Sequence, residues 1–89
     1  MDASLKNNIL NNFKTTEIGL TRIRTNLKIN DFSDTETVSY LKKILQSTAV
    51  DEIILKGKNY YFNNVKNNAI LMMNTQNYTI ISAEMINKN

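Results

Sequence analysis

Ile53-Ile54-Leu55-Lys56-Gly57-Lys58-Asn59-Tyr60-Tyr61-Phe62 is the stretch at which the chain changes from helical to extended patterning. It is rich in β-branched and aromatic residues, which favour a pleated, half-buried surface. Gly57 interrupts it, and an isolated glycine in a strand pattern predicts a bulge or bend. Ile53 and Leu55 before it, and Tyr60 and Phe62 after it, then point inward if one extra residue absorbs the change of phase. Downstream, Asn63-Asn64-Val65-Lys66-Asn67-Asn68 is a polar connection. Ala69 to Met73 reads as a second strand, Asn74-Thr75-Gln76-Asn77 as a tight turn, and Tyr78 to Ile86 as a third strand.

Upstream, the apolar residues recur with helical spacing. Ser33-Asp34-Thr35-Glu36 is a capping box: the hydroxyl accepts from the N3 amide and the Glu36 carboxylate reaches back to the Ser33 amide. It predicts a helix over about 34–47, with Val38, Leu41 and Leu45 as its stripe, Ile44 beside them, and Lys42 and Lys43 toward its negative end. Leu20, Ile23 and Leu27, flanked by Ile18, mark a helix over about 16–26 that starts at Thr15 or Thr16 and carries Glu17 in its first turn. Gly19 inside it implies close approach of another backbone element. Leu5, Ile9 and Phe13, with Leu10, mark a helix over about 3–14 capped by Asp2 or Ser4. Helices first and strands after predict an α+β fold in a single domain, residues 1–89, with three N-terminal helices packed on one face of a C-terminal three-stranded antiparallel β-meander.

Composition narrows the chemistry. The chain has 89 residues, no cysteine, no histidine and no proline, so disulfides, thiolate nucleophiles, Cys/His zinc sites and imidazole acid–base catalysis are excluded. Eleven Lys and Arg against eight Asp and Glu give a formal charge of +3. That is weaker and less clustered than dedicated nucleic-acid modules show. Fifteen asparagines interleave with normal apolar periodicity and do not form a prion-like tract. The longest apolar run, Ala69 to Met73, is far short of a membrane span. The first residues lack a secretory pattern, so a cytoplasmic location is expected.

Three blocks carry a family resemblance: Thr15-Thr16-Glu17-Ile18-Gly19-Leu20-Thr21-Arg22-Ile23-Arg24-Thr25-Asn26-Leu27, Lys56-Gly57-Lys58-Asn59-Tyr60-Tyr61, and Tyr78-Thr79-Ile80-Ile81-Ser82-Ala83. In this order they resemble the small bacterial domain-of-unknown-function family numbered 3781, over about residues 15 to 86. The resemblance implies a small domain of the kind found in bacteria and their mobile elements. It brings no catalytic residues with it.

The carboxylates are scattered, and those at Asp34 and Glu36 are explained by the capping box. Glycine occurs only at positions 19 and 57, so no phosphate-cradling loop is available. No enzyme activity, cofactor or metal is expected. The alternative is a toxin-like ribonuclease working with Arg, Lys and Tyr, or a basic nucleic-acid-binding module. Its candidates are Arg22, Arg24, Lys56, Lys58, Tyr60 and Tyr61, because lysines neutralise phosphate and tyrosine rings stack on bases. Against it, Lys on an exposed strand equally blocks edge-to-edge aggregation. Arg22 and Arg24 also diverge by about 160° around a helix, which leaves one of them free to serve the fold.

A two-residue turn at Thr75-Gln76 pairs Met73 with Tyr78 and Leu71 with Ile80 on one side of the sheet, and leaves the other side apolar as well. Three helices cover one face, so Leu71, Met73, Tyr78 and Ile80 are expected on the uncovered face as a protein interface. The expected function is a small non-enzymatic intracellular binding or regulatory protein. It would act on a protein partner or as a homo-oligomer, and a phage- or mobile-element-encoded inhibitor of a host defence nuclease (anti-CRISPR-like) is the narrower form.

Overall fold

The computed structural model describes residues 1–88. Three helices, α1 (Ala3–Asn12), α2 (Glu17–Asn26) and α3 (Asp34–Ser47), precede four strands, β1 (Ile53–Lys56), β2 (Asn59–Asn64), β3 (Ala69–Asn74) and β4 (Ile80–Met85). The strands form one antiparallel sheet in the order β1-β2-β3-β4.

Local chemistry sets the helix starts. Asp2 accepts from the Leu5 amide at 2.7 Å, Thr16 from the Gly19 amide at 3.0 Å, and Ser33 from the Glu36 amide at 3.1 Å. The Glu36 carboxylate returns to the Ser33 amide at 2.9 Å and completes the capping box. The need for glycine at position 19 has a closer cause than the expected approach of a neighbouring element. A Cβ there would lie 2.7 Å from the capping hydroxyl of Thr16, while the Ile80 carbonyl is at an ordinary 3.7 Å. The first helix ends at Asn12 instead of 14, because Lys14 leaves it to bridge Thr79 in parallel fashion.

The sheet departs from the expected meander at two turns. Lys56 pairs with Asn59, so Gly57-Lys58 is a two-residue hairpin and not a bulge. Gly57 has φ 62° and is the only one of the two with positive φ, the type II′ arrangement that follows strand twist. The single strand expected over 53–62 is therefore two, and the sheet has four strands instead of three. The grouping of Ile53, Leu55, Tyr60 and Phe62 on one face holds, since Ile53 pairs with Phe62 and Leu55 with Tyr60.

The second departure lies between β3 and β4. The Asn74 side chain accepts from the Gln76 and Asn77 amides at 2.8 and 3.1 Å, widening the turn. Tyr78 is forced to φ 59°, a strained conformation for a bulky residue. It is held there by bonds from its amide to the Asn74 carbonyl, from the Lys14 amide to its carbonyl, and from Asn8 Nδ2 to its hydroxyl, at 3.0, 3.0 and 3.1 Å. The last strand thus begins at Ile80 and not at Tyr78. Met73 pairs with Ile80 and Leu71 with Ala83, with a register shift between Met72 and Met73 that leaves Ile81 as the extra residue.

The helices cover one face of this sheet. Ile9, Leu20, Ile23, Leu41, Ile44 and Leu45 are buried in one cluster with Ile53, Phe62, Ala69, Leu71, Met73, Ile80 and Ala83. A buried polar anchor ties α3 to the central strands. Asn64 Nδ2 lies 3.0 Å from the Ile44 carbonyl, 2.9 Å from Ser47 Oγ and 3.1 Å from Thr48 Oγ1, and its Oδ1 accepts from the Asn67 amide at 3.0 Å. The negative end of α3 is met by neither Lys42 nor Lys43: its last turn has no basic residue. Lys6 of α1 reaches it instead, donating to the carbonyls of Gln46 and Thr48 at 2.8 and 2.6 Å, where a cation is favoured.

Two stability measurements test these anchors. Asn64→Asp keeps the acceptor but removes both side-chain donors and sets a carboxylate against the Ile44 carbonyl. It should destabilise by about 3 kcal/mol or more, and Asn64→Ala by about 1–3 kcal/mol, in denaturant unfolding. At Glu36 the bonds from the Ser33 backbone and side chain hold the carboxyl below its ordinary value of 4.5. A lowered folded-state value means that its contribution is present above the unfolded value and is lost as pH falls through the folded one. Glu36→Gln should therefore flatten the acid limb of melting temperature against pH while leaving its neutral side nearly level.

Candidate protein-docking surface

The strand register decides which side chains share the bare face. Ile54 stands opposite Tyr61, Tyr61 opposite Met72, and Met72 opposite Ser82, so one row crosses all four strands. Ile70 lies in the next row between Asn63 and Glu84, and the row on the other side is Lys56, Asn59 and Asn74. None of these ten residues is buried, and Ile54 is 53% exposed. The face is an apolar centre of Ile54, Tyr61, Met72 and Ile70 with a polar rim. Ser82 Oγ donates to Met72 Sδ at 3.7 Å.

The expected interface residues are on the opposite side. Leu71, Met73 and Ile80 are completely or almost completely buried beneath the helices, and Tyr78 packs partly buried against the same core. The expected pairs of Met73 with Tyr78 and Leu71 with Ile80 are replaced by Met73 with Ile80 and Leu71 with Ala83, and all four residues belong to the helix side. The reason is parity. Phe62 is buried and pairs with Leu71, and side chains alternate along a strand, so Leu71 and Met73 go inward and Ile70 and Met72 outward.

The basic and aromatic candidates are not gathered into one surface. Arg24 is taken up by the fold: its Nη1 pairs with Asp34 Oδ1 at 2.7 Å, joining the end of α2 to the start of α3. Arg22 is exposed on α2. That helix packs against β4, whereas Lys56 and Lys58 sit at the hairpin beside β1, the opposite edge of a sheet that measures about 14 Å from first strand to last. Tyr60 faces the core and meets Phe62 edge to ring at 6.5 Å, while Tyr61 shares the bare face with Lys56. Of the two tyrosines only Tyr61 therefore lies beside a lysine of the candidate set, because the chain turns at Gly57 and sends Tyr60 inward.

Among the described residues no three Asp or Glu side chains cluster as metal ligands, and no helix is long and apolar enough to cross a membrane. The depression lined by Asn26, Lys28, Glu84, Met85 and Lys88 contains a single carboxylate.

Residues 7–84 match the family described as a protein of unknown function, DUF3781. The chain belongs to that family. The match extends the resemblance read from the second helix onward back into α1, whose Ile9 is part of this chain's core. No curated protein and no solved structure matches the chain.

The assignment of faces in this DUF3781 fold is tested by neighbouring substitutions. Leu71→Lys buries an unpaired charge and should abolish the cooperative melting transition of so small a domain, at a cost of several kcal/mol. Met72→Lys on the bare face should change stability by less than about 1 kcal/mol.

Proposed function

We propose that this protein is a non-enzymatic binding protein that docks onto a protein partner through the bare face of its sheet. The supporting observation is the row Ile54, Tyr61 and Met72, with Ile70 beside it, uncovered on a face whose rim is Asn59, Asn63, Asn74, Lys56 and Glu84. An antiparallel sheet with one solvated face normally alternates apolar with polar residues. An apolar centre with a polar rim instead has the anatomy of a recognition patch. Met adapts its shape to a partner, and Tyr joins an apolar ring to a hydrogen-bonding tip. A formal charge of +3 argues against DNA mimicry as the mode of action. The narrower expectation of a defence-nuclease inhibitor draws no support from any particular surface feature. The alternative of nucleic-acid binding is weakened by the separation of Arg22 from Lys56 and Lys58 and by the engagement of Arg24 with Asp34.

Site-specific photocrosslinking in the cells that encode the protein tests the reading. A photoreactive side chain at Met72 should yield one discrete protein adduct, and the same group at Lys42, exposed on α3, should not. The crosslinked protein, purified, should bind the wild-type chain and lose at least tenfold in affinity for Met72→Lys. Equal adducts at both positions, or unchanged affinity, would contradict the reading. Salt-sensitive binding to RNA or DNA with no protein adduct would favour the nucleic-acid alternative.

A further inference from the structure

The two edges of the sheet are treated differently. The β4 edge is covered: the Ile80 amide donates to the Lys14 carbonyl at 2.9 Å, Asn26 Nδ2 donates to the Ala83 carbonyl at 3.0 Å, and α2 packs alongside. Among the described residues the β1 edge has no such cover. The pair flanking a two-residue turn is a hydrogen-bonded one, and bonded pairs alternate along an antiparallel ladder. Lys56 and Ile54 therefore bond to β2, while the backbone groups of Leu55 and Ile53 point away from the sheet. The Ile53 amide is used internally, donating to the Val50 carbonyl. The Leu55 amide and carbonyl and the Ile53 carbonyl remain outward. Leu55 itself is 65% exposed although it lies on the helix face. Such outward groups can accept another strand, and Lys56 at the end of this four-residue edge limits the pairing to a partner that meets its charge.

We propose that β1 pairs antiparallel with β1 of a second copy of this chain, about a two-fold axis through Leu55, joining two four-stranded sheets into one of eight. This register is chosen by the chain's own pattern. Leu55 stands opposite Leu55 of the second copy, and the two exchange both amide-to-carbonyl bonds. Ile53 stands opposite Gly57, whose amide is the next outward donor in the alternation. Ile54 stands opposite Lys56, whose aliphatic stem can cover it. Antiparallel pairing also brings the 3-10 turn Val50–Glu52 that precedes the strand, with Asp51 and Glu52, toward the Gly57-Lys58 turn of the second copy, and two-fold symmetry makes that meeting twice. Asp51 and Glu52 just before the strand and Lys56 and Lys58 at and just beyond its end are thus complementary only when the two strands run antiparallel. A parallel arrangement would set like charges together. The self-pairing surface is isologous, as a two-fold dimer requires. It adjoins the bare face at Ile54 and Lys56 and leaves Tyr61, Met72 and Ile70 open.

Sedimentation velocity across a concentration series tests the pairing. The wild-type chain should show a monomer–dimer equilibrium. Glu52→Lys and Lys58→Glu should each weaken it by about tenfold at low salt, because each brings like charges together at both ends of the pairing. The double variant E52K/K58E should return to within about threefold of wild type. Leu55→Pro removes an amide that bonds nothing within the chain and should leave a folded monomer. If proline disturbs the fold, the charge exchange decides by itself. Met72→Lys should leave the dimer intact, so loss of partner docking and loss of self-association are separable. A monomer at all concentrations, a double variant that does not recover, or a dimer that persists in Leu55→Pro and is lost in Met72→Lys would each overturn the proposal.

Discussion

Phe62 and Leu71 stand opposite each other on the two central strands, and both are fully buried against the helices. Side chains alternate between the faces of a strand, so this one pair sets the parity of the whole hairpin. It commits Tyr60, Asn64, Ala69 and Met73 to the helix side and Tyr61, Asn63, Ile70 and Met72 to the other. A slip of one residue would exchange the two sets, exposing Phe62 and burying Asn63. Three helices of ten, ten and fourteen residues provide one covering layer, and the face they leave is the one that Phe62 and Leu71 turn away from.

The polar residues of the helix side are consistent with that commitment. Asn64 is on the buried face, and its amide is satisfied by the end of α3, where a helix leaves its last carbonyls without partners. Lys6 meets two more carbonyls of the same terminus. The hydroxyl of Thr48, also buried, donates to the Ile44 carbonyl at 2.7 Å. The end of the longest helix is thereby fastened to both α1 and the β2–β3 connection. This is where a small core benefits most from directional contacts, since a buried group left unpaired costs more than a made bond contributes.

Much of this was legible in the sequence. The capping box at Ser33 and Glu36, the apolar stripes of the helices and the order of helices before strands are local or periodic signals, and they survive folding unchanged. The alternation about Gly57 correctly grouped Ile53, Leu55, Tyr60 and Phe62, although the turn that produces it is a hairpin. The faces were not legible from β3 alone. Ile70-Leu71-Met72-Met73 is apolar at every position, so either parity fits. The missing step was to carry the inward position of Phe62 across the Asn64–Ala69 pair, which makes Leu71 inward and gives Asn63, Ser82 and Glu84 to solvent. The Asn74 side chain that widens the next turn, and the left-handed Tyr78 held by Asn8 and Lys14, depend on residues distant in sequence, which no local pattern contains. The pairing of Arg24 with Asp34 was open to the same degree: spacing on α2 separated the two arginines, and only the approach of α3 decided which one the fold would use.

Two consecutive methionines report on the bare face. Met72 points to the uncovered side and Met73 is fully buried beneath the helices. Methyl-labelled methionine NMR with a soluble paramagnetic agent reads both in one spectrum. Strong broadening of the Met72 methyl beside an unaffected Met73 methyl is the result expected of this fold. Equal protection of both, or broadening of Met73 in place of Met72, would contradict it.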